Sequence, residues 1–126
     1  MMGNPVGWFE IYVSDIQRGV AFYQALFDVE LFELNPGADG GPVMWAFPWQ
    51  DNAPGAPGAI CQMEGVSPGG NSTIVYFGCD DCQIQQDRVA GAGGQVLRPK
   101  MSIGEYGFIT IAADPDGNMI GLHSMK

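Results

Sequence analysis

Two stretches of this chain follow the same plan sixty-six residues apart. Asp15 and Asp81 each close an alternating apolar segment and open a helical one, and the segments starting at Val29 and Gln95 keep the same offset. Asp51 and Asp116, in corresponding turns late in each half, lie sixty-five apart. A period of this size marks repeated supersecondary units, each too small to bury its own apolar face. The chain therefore has to fold as two similar modules that complete each other's core.

Within the first half, VGWFEIYV alternates, with Trp8, Glu10 and Tyr12 on one side and Phe9, Ile11 and Val13 on the other. Ser14-Asp15 supplies an N-cap, whose side-chain oxygen takes up an orphan helix N–H. IQRGVAFYQALF then places Ile16, Val20, Tyr23 and Phe27 within about 40° of one line, an amphipathic helix despite Gly19. VELFEL reads as a strand, PGADGG as a loop, VMWAFP as a strand, QDNAPGAPG as a turn-rich stretch and AICQM as a strand.

The second half repeats the order: strand STIVYFGC, cap Asp80-Asp81, helix CQIQQDRVAGAGG, strand QVLRP, loop KMSIGEYG, strand FITIAA, turn DPDGN and strand MIGLHS. The second helix has the weaker apolar stripe. The fold class is α+β: two tandem β-α-β-β-β modules, about 5–64 and 72–126, joined by a linker at 65–71 within one domain. Joined edge to edge, their sheets would curve into a trough with the helices on the convex side. Phe9, Ile11 and Val13 would face the helices, and Trp8, Glu10 and Tyr12 would line the trough, where a ligand would bind.

Composition narrows the partners. A net charge of −9 with only five basic residues argues against nucleic acid and against anionic membrane surfaces. It suits a cationic ligand, as well as serving solubility. The first dozen residues carry no basic flank, and no apolar run approaches the ~20 residues of a membrane span, so the expected location is the cytoplasm. Three cysteines, an odd number, fit a reducing compartment.

Several side chains are candidates for chemistry. Glu10 is a carboxylate on an otherwise apolar and aromatic strand, and beside Trp8 and Tyr12 it would act as an acid, a base or a cation partner. Trp8, Tyr12, Trp45, Phe47 and Tyr76 would form an aromatic cage for a planar or cationic ligand, or simply core. Trp45 and Phe47 share a face of the Val43–Pro48 strand, but the sequence leaves open which face lines the trough. Glu105 and Tyr106, in SIGEYG, would act as a lid or belong to an ordinary glycine-bounded loop. Cys79-Asp80-Asp81-Cys82 has redox spacing, but the two acids disfavour a thiolate and the surrounding pattern is not thioredoxin-like, so the spacing reads as adventitious. GAGG closes a helix rather than opening one after a strand, which rules out a dinucleotide fingerprint.

VSD followed by FYQALF, the paired modules and the closing DPDGNMIGL together resemble the vicinal oxygen chelate superfamily, which includes glyoxalase I, bleomycin-resistance proteins and extradiol dioxygenases. The resemblance covers essentially the whole chain and is nearest to small bacterial glyoxalase-like proteins. It implies a divalent metal in members that are enzymes, held by His, Glu or Gln on the first and last strands of each module. The matching positions here are Trp8, Ile74, Gly121 and a residue near Ala59 or Cys61. Such a set cannot supply the three or four convergent donors a metal needs. No metal and no other cofactor is therefore expected. The only histidine, His123, lies two residues past Gly121, so strand parity puts it on the trough face as a general base or ligand contact.

The resemblance and the residues together point to a metal-independent, homodimeric binder of a small cationic or aromatic molecule, with bleomycin-resistance proteins as the precedent. The alternative is a glyoxalase-like lyase, isomerase or dioxygenase that uses Glu10 and His123 as acid and base, or a minimal metal site of Glu10, Glu105, His123 and water. A third class, an interaction module whose trough is filled by its own side chains, predicts no cavity.

Overall fold

The computed structural model describes residues 3–34 and 41–126. Most of the loop read over PGADGG lies outside the described residues. The first module runs β1 (Phe9–Tyr12), α1 (Ile16–Phe27), β2 (Phe32–Leu34), β3 (Val43–Ala46) and β4 (Gly58–Gln62). The second runs β5 (Val75–Gly78), α2 (Cys82–Ala92), β6 (Gln95–Ser102), β7 (Phe108–Ala113) and β8 (Met119–Ser124), with a 3-10 turn at Gly104–Tyr106 before β7. The strands form two four-stranded mixed sheets, in the orders β1-β4-β3-β2 and β5-β8-β7-β6. In each sheet the first strand runs parallel to the last and the other pairs are antiparallel. The α+β class and the tandem plan are as the repeat requires, and among the described residues no barrel closes.

The repeat extends to single hydrogen bonds. Asp15 caps α1 by accepting from the N–H groups of Gln17 and Arg18, and Asp81 caps α2 by accepting from Gln83. In each module the last residue of the closing strand takes up the first helical N–H: Ile16 N donates to Gln62 Oε1 (2.8 Å) and Cys82 N to Ser124 Oγ (3.0 Å). Helix α2 ends at Gly93 in the left-handed conformation, where a side chain would be strained.

The helix-facing sides of both sheets share one buried cluster with α1 and α2. Ile11, Val13, Ile60, Ile120 and Leu122 come from the strands, and Phe22, Tyr23, Leu26 and Val89 from the helices. Helix α1 buries its stripe as the 3.6-residue period demands, whereas α2 fully buries only Cys82 and Val89. The other face of the first sheet has a small cluster of its own, Ala46, Ala59 and Cys61 with Tyr12 and Met44 against it.

The DPDGN turn joins the modules. Asp114 is buried, accepts from the Tyr23 hydroxyl (2.8 Å) and from the Asn118 amide, and closes the turn through the N–H groups of Asp116 and Asn118. Asn118 also donates to the Tyr12 carbonyl (2.8 Å) and accepts from Gly69 of the linker. Asp116 accepts from the Ser14 hydroxyl and pairs with Arg18 (2.7 Å). Among the described residues, no helix is long and apolar enough to cross a membrane.

Candidate functional site

Strand register assigns each candidate to a face, because paired residues share a side of the sheet. Glu10 pairs with Ala59 and Tyr12 with Cys61, while Ile11 pairs with buried Ile60. Trp8, Glu10 and Tyr12 therefore lie on the face turned away from the shared core. In the second sheet Tyr76 pairs with Gly121 and Gly78 with His123, which puts Tyr76 and His123 on the corresponding outer face.

Glu10 is the centre of the best-defined polar arrangement on these faces. The Trp8 indole N–H donates to Glu10 Oε2 (3.1 Å) and the Tyr12 hydroxyl to Oε1 (2.7 Å). Hydrogen bonding to Glu10, aided by burial and by the Glu10 charge, pushes the Tyr12 phenol up to about 12. Glu10 itself is exposed. A carboxylate pinned by one donor on each oxygen keeps lone pairs for a ligand. Glu10 and Tyr12 also line a cleft of about 300 Å³ together with Asn71, Asn118 and Met119.

The remaining candidates separate. His123 Nε2 donates to the Tyr106 carbonyl (2.6 Å), which ties the last strand to the 3-10 turn carrying Glu105 and Tyr106. That close approach needs Gly107: its φ is 101°, and a Cβ there would collide with the Ser124 carbonyl. Glu105 and Tyr106 are exposed. His123 and Glu10 share no hydrogen bond or ion pair, each being engaged by its own neighbours.

The cage proposed from sequence needs correction at two positions. Trp45 pairs with Ile60 and packs on the shared core, as does Phe47, so both lie on the helix-facing side, away from Glu10. The aromatic set is thus split between Trp8 and Tyr12 in the first sheet, Tyr76 in the second, and Trp45 and Phe47 inside.

The fold family implied by the sequence would place a divalent metal at four positions. Matching Gln62 with Ser124, the two acceptors of the first helical N–H, makes Ala59 the counterpart of Gly121. The four positions then hold Trp8, Ala59, Ile74 and Gly121. The Trp8 ring nitrogen is spent on Glu10, Ala59 is buried, and the Tyr76 ring lies where a side chain at residue 121 would go. The neighbouring Cys61 thiol is pushed up to about 12, by burial first and by the Glu10 charge second, and so stays protonated. Among the described residues no three His, Cys, Asp or Glu side chains converge, the set Glu10, Glu105 and His123 included. These residues do not fit a divalent cation.

Cys79 and Cys82 are free thiols. Burial, then the neighbouring Cys82, pushes Cys79 up to about 11, so this spacing makes no reactive thiolate. Sequence reasoning passed over Asn118, read only as a turn residue although it borders the Glu10 cleft. It also passed over a larger cavity of about 770 Å³ on the helix-facing side, lined by Phe27, Phe47, Phe77 and Gln85. Two cavities are at odds with an interaction module filled by its own side chains.

A family model described as the Glyoxalase/Bleomycin resistance protein/Dioxygenase superfamily matches residues 6–122. The "Putative glyoxylase CFP32" of Mycobacterium tuberculosis (strain CDC 1551 / Oshkosh) is 31% identical over 128 residues, which cover 95% of this chain and 45% of that protein. The protein of the same name from Mycobacterium bovis matches equally. The chain thus spans less than half the length of the curated relatives it matches. Glyoxalase I from Zea mays superposes with a TM-score of 0.75 at 21% identity, over 96% of this chain and 46% of that one, a likeness of fold alone. TnmS3, an antibiotic binding protein from Streptomyces sp. CB03234, superposes with a TM-score of 0.68 at 25% identity, over 98% of both chains.

Proposed function

The chain belongs to the glyoxalase/bleomycin resistance protein/dioxygenase superfamily, and from that premise we propose that it is a metal-independent binder of small cationic, aromatic molecules. The observation that carries the proposal is the Glu10 carboxylate held between Trp8 and Tyr12 on an exposed face. A ligand cation would pair with the free lone pairs of Glu10, while its ring would lie against the indole and phenol. The net charge of −9 draws cations towards the protein. The antibiotic-binding neighbour TnmS3 supports the same class of activity.

Binding would be completed by a second copy of the chain. Because the helix-facing sides share one core, the Glu10 face and the His123 face both point outward. They leave Trp8, Phe32, Ile74, Tyr76, Met101 and Met119 exposed, and large exposed apolar surface of this kind favours association. A homodimer that laid one face on the other would bring Glu10 of one copy towards His123 of the next. The donor set supports metal independence: Trp8, Ala59, Ile74 and Gly121 offer no carboxylate or imidazole.

A thermal-shift panel tests the reading. Cationic aromatic compounds, antibiotics among them, are expected to raise Tm, and Glu10→Gln to remove most of the shift. Stabilisation by neutral dicarbonyls or aldehydes, with none by the cations, would overturn it. So would near-stoichiometric Ni, Zn, Fe or Mn in protein purified without chelator and lost on His123→Ala.

A further inference from the structure

The larger cavity is lined by a different set of residues from the Glu10 cleft, although Phe9 borders both and Trp49 packs edge-on against Trp8 (6.0 Å). It opens on the helix-facing side, between the end of α1, the segment before β4 and the start of α2. None of Trp8, Glu10, Tyr12, Tyr76, Glu105, Tyr106 or His123 lines it. Its volume, about 770 Å³, lies within the range of sites for small organic ligands.

Its wall is aromatic. The Phe27 and Phe77 rings are 4.7 Å apart, Phe47 and Phe77 5.5 Å, and Phe9 and Phe77 5.7 Å, in tilted and edge-on arrangements. Trp49, 45% exposed, stands at the rim. Such rings offer both faces and edges to a further aromatic group.

Its lining carries one charged side chain, Asp80, with the Gln50 and Gln85 amides and the Trp49 indole as neutral polar groups. Gln85 Oε1 is buried and has no hydrogen-bond partner, the only such side-chain atom among the described residues. Buried polar atoms are almost always paired, so an orphaned acceptor beside a cavity marks a place where a donor fits. Asp80, an exposed residue, also borders the cavity, and its carboxylate makes no hydrogen bond or ion pair to any described residue. No Lys or Arg lines it. The positive end of α2 does not offset this, because its first N–H groups are engaged by Ser124 and Asp81, and Lys100 is paired with Asp81 rather than Asp80.

We infer that this cavity is a second ligand site, which takes an aryl-alkyl ammonium with its ring among Phe27, Phe47 and Phe77 and its N–H groups directed to Gln85 Oε1 and Asp80. An aromatic carboxylate of the same shape is disfavoured, because it would meet the Asp80 charge with no Lys or Arg in the lining to offset it. The site does not depend on the function proposed for the Glu10 face. Either stands if the other fails.

The test is a ¹H–¹⁵N NMR titration of the full chain with tryptamine, indole-3-acetate and 3-ethylindole, three molecules of one shape and different charge. Tryptamine is expected to shift the Gln85 side-chain amide and the backbone amides at the start of α2, and to bind there at least tenfold more tightly than indole-3-acetate. Asp80→Asn together with Gln85→Leu should weaken it about tenfold. Asp80 is exposed and Gln85→Leu removes an unpaired acceptor, so an unchanged Tm is expected to accompany the loss. Glu10→Gln should leave these shifts in place. Equal binding of all three probes at Gln85, or tryptamine shifts confined to Trp8, Glu10 and Tyr12, or no shift at Gln85 at millimolar tryptamine, would each overturn the inference.

Discussion

The Tyr12 hydroxyl reports directly on whether Glu10 is held as described. Its pKa is raised to about 12, chiefly by its hydrogen bond to Glu10. Glu10→Gln should therefore bring it back towards the ordinary value near 10, read as the ¹³Cζ chemical shift of labelled tyrosine during a pH titration. An unchanged titration would mean that Tyr12 does not bond Glu10. The thiols give a second check. Cys61 and Cys79, raised to about 12 and about 11 mainly by burial, should resist iodoacetamide at pH 8 in the folded protein and react once it is denatured. Mass spectrometry of the labelled chain distinguishes the cases. At this scale the sequence was legible where alternation alone decides, as in the shared face of Trp8, Glu10 and Tyr12. It was not legible for Trp45 and Phe47. Alternation puts both on one face, but only the pairing of Trp45 with Ile60 says that the face is the inner one.

Among the elements, α2 depends most on polar contacts, since few of its side chains are buried. Its cap Asp81 pairs with Lys100 (2.9 Å). That bond, followed by the Gln83 N–H, lowers the Asp81 carboxyl below its ordinary 3.8. The unfolded chain then binds the proton more readily than the folded one. The stabilisation is present above about pH 4 and fades as the pH falls through the folded value. Asp81→Asn keeps a capping side chain but loses the ion pair, so its Tm should lie below wild type at pH 7 and the gap should narrow as the pH falls below about 4. A gap of constant size would show that the pair contributes nothing. The bounds of α1 were legible, because an N-cap aspartate and a regular stripe are local signals. Strand β6 was not: it runs on to Ser102 through what reads as loop. Lys100 holds it there by donating its N–H to Gln86 Oε1 (2.6 Å) and its ammonium to Asp81, contacts with residues 14 and 19 positions away. Its register shifts fall around Arg98, Pro99 and Met101, as an edge strand tolerates where proline lacks an N–H.

For the whole molecule, one turn couples the two halves. Asp114 takes the Tyr23 hydroxyl from the first module while closing its own turn in the second. Tyr23→Phe should cost about 1 kcal/mol, since Asp114 keeps its other donors. Asp114→Ala should cost about 2–3 kcal/mol, because it strands the buried Tyr23 hydroxyl and opens the turn. Urea denaturation of the two variants checks both numbers, and equal losses would contradict the assignment. The repeat and the DPDGN signature made this architecture readable, since both are patterns in the chain itself. The sites were less so, because the Glu10 cleft draws on the linker and on Asn118, and the larger cavity on segments far apart in sequence. Titration calorimetry of chelator-treated protein with a cationic aromatic ligand from the thermal-shift panel, on wild type and Glu10→Gln, tests the proposed function most directly. Full affinity without metal and a loss of about tenfold in the variant are expected. Binding that appears only when a divalent metal is added back, with Glu10→Gln indistinguishable from wild type, would contradict it.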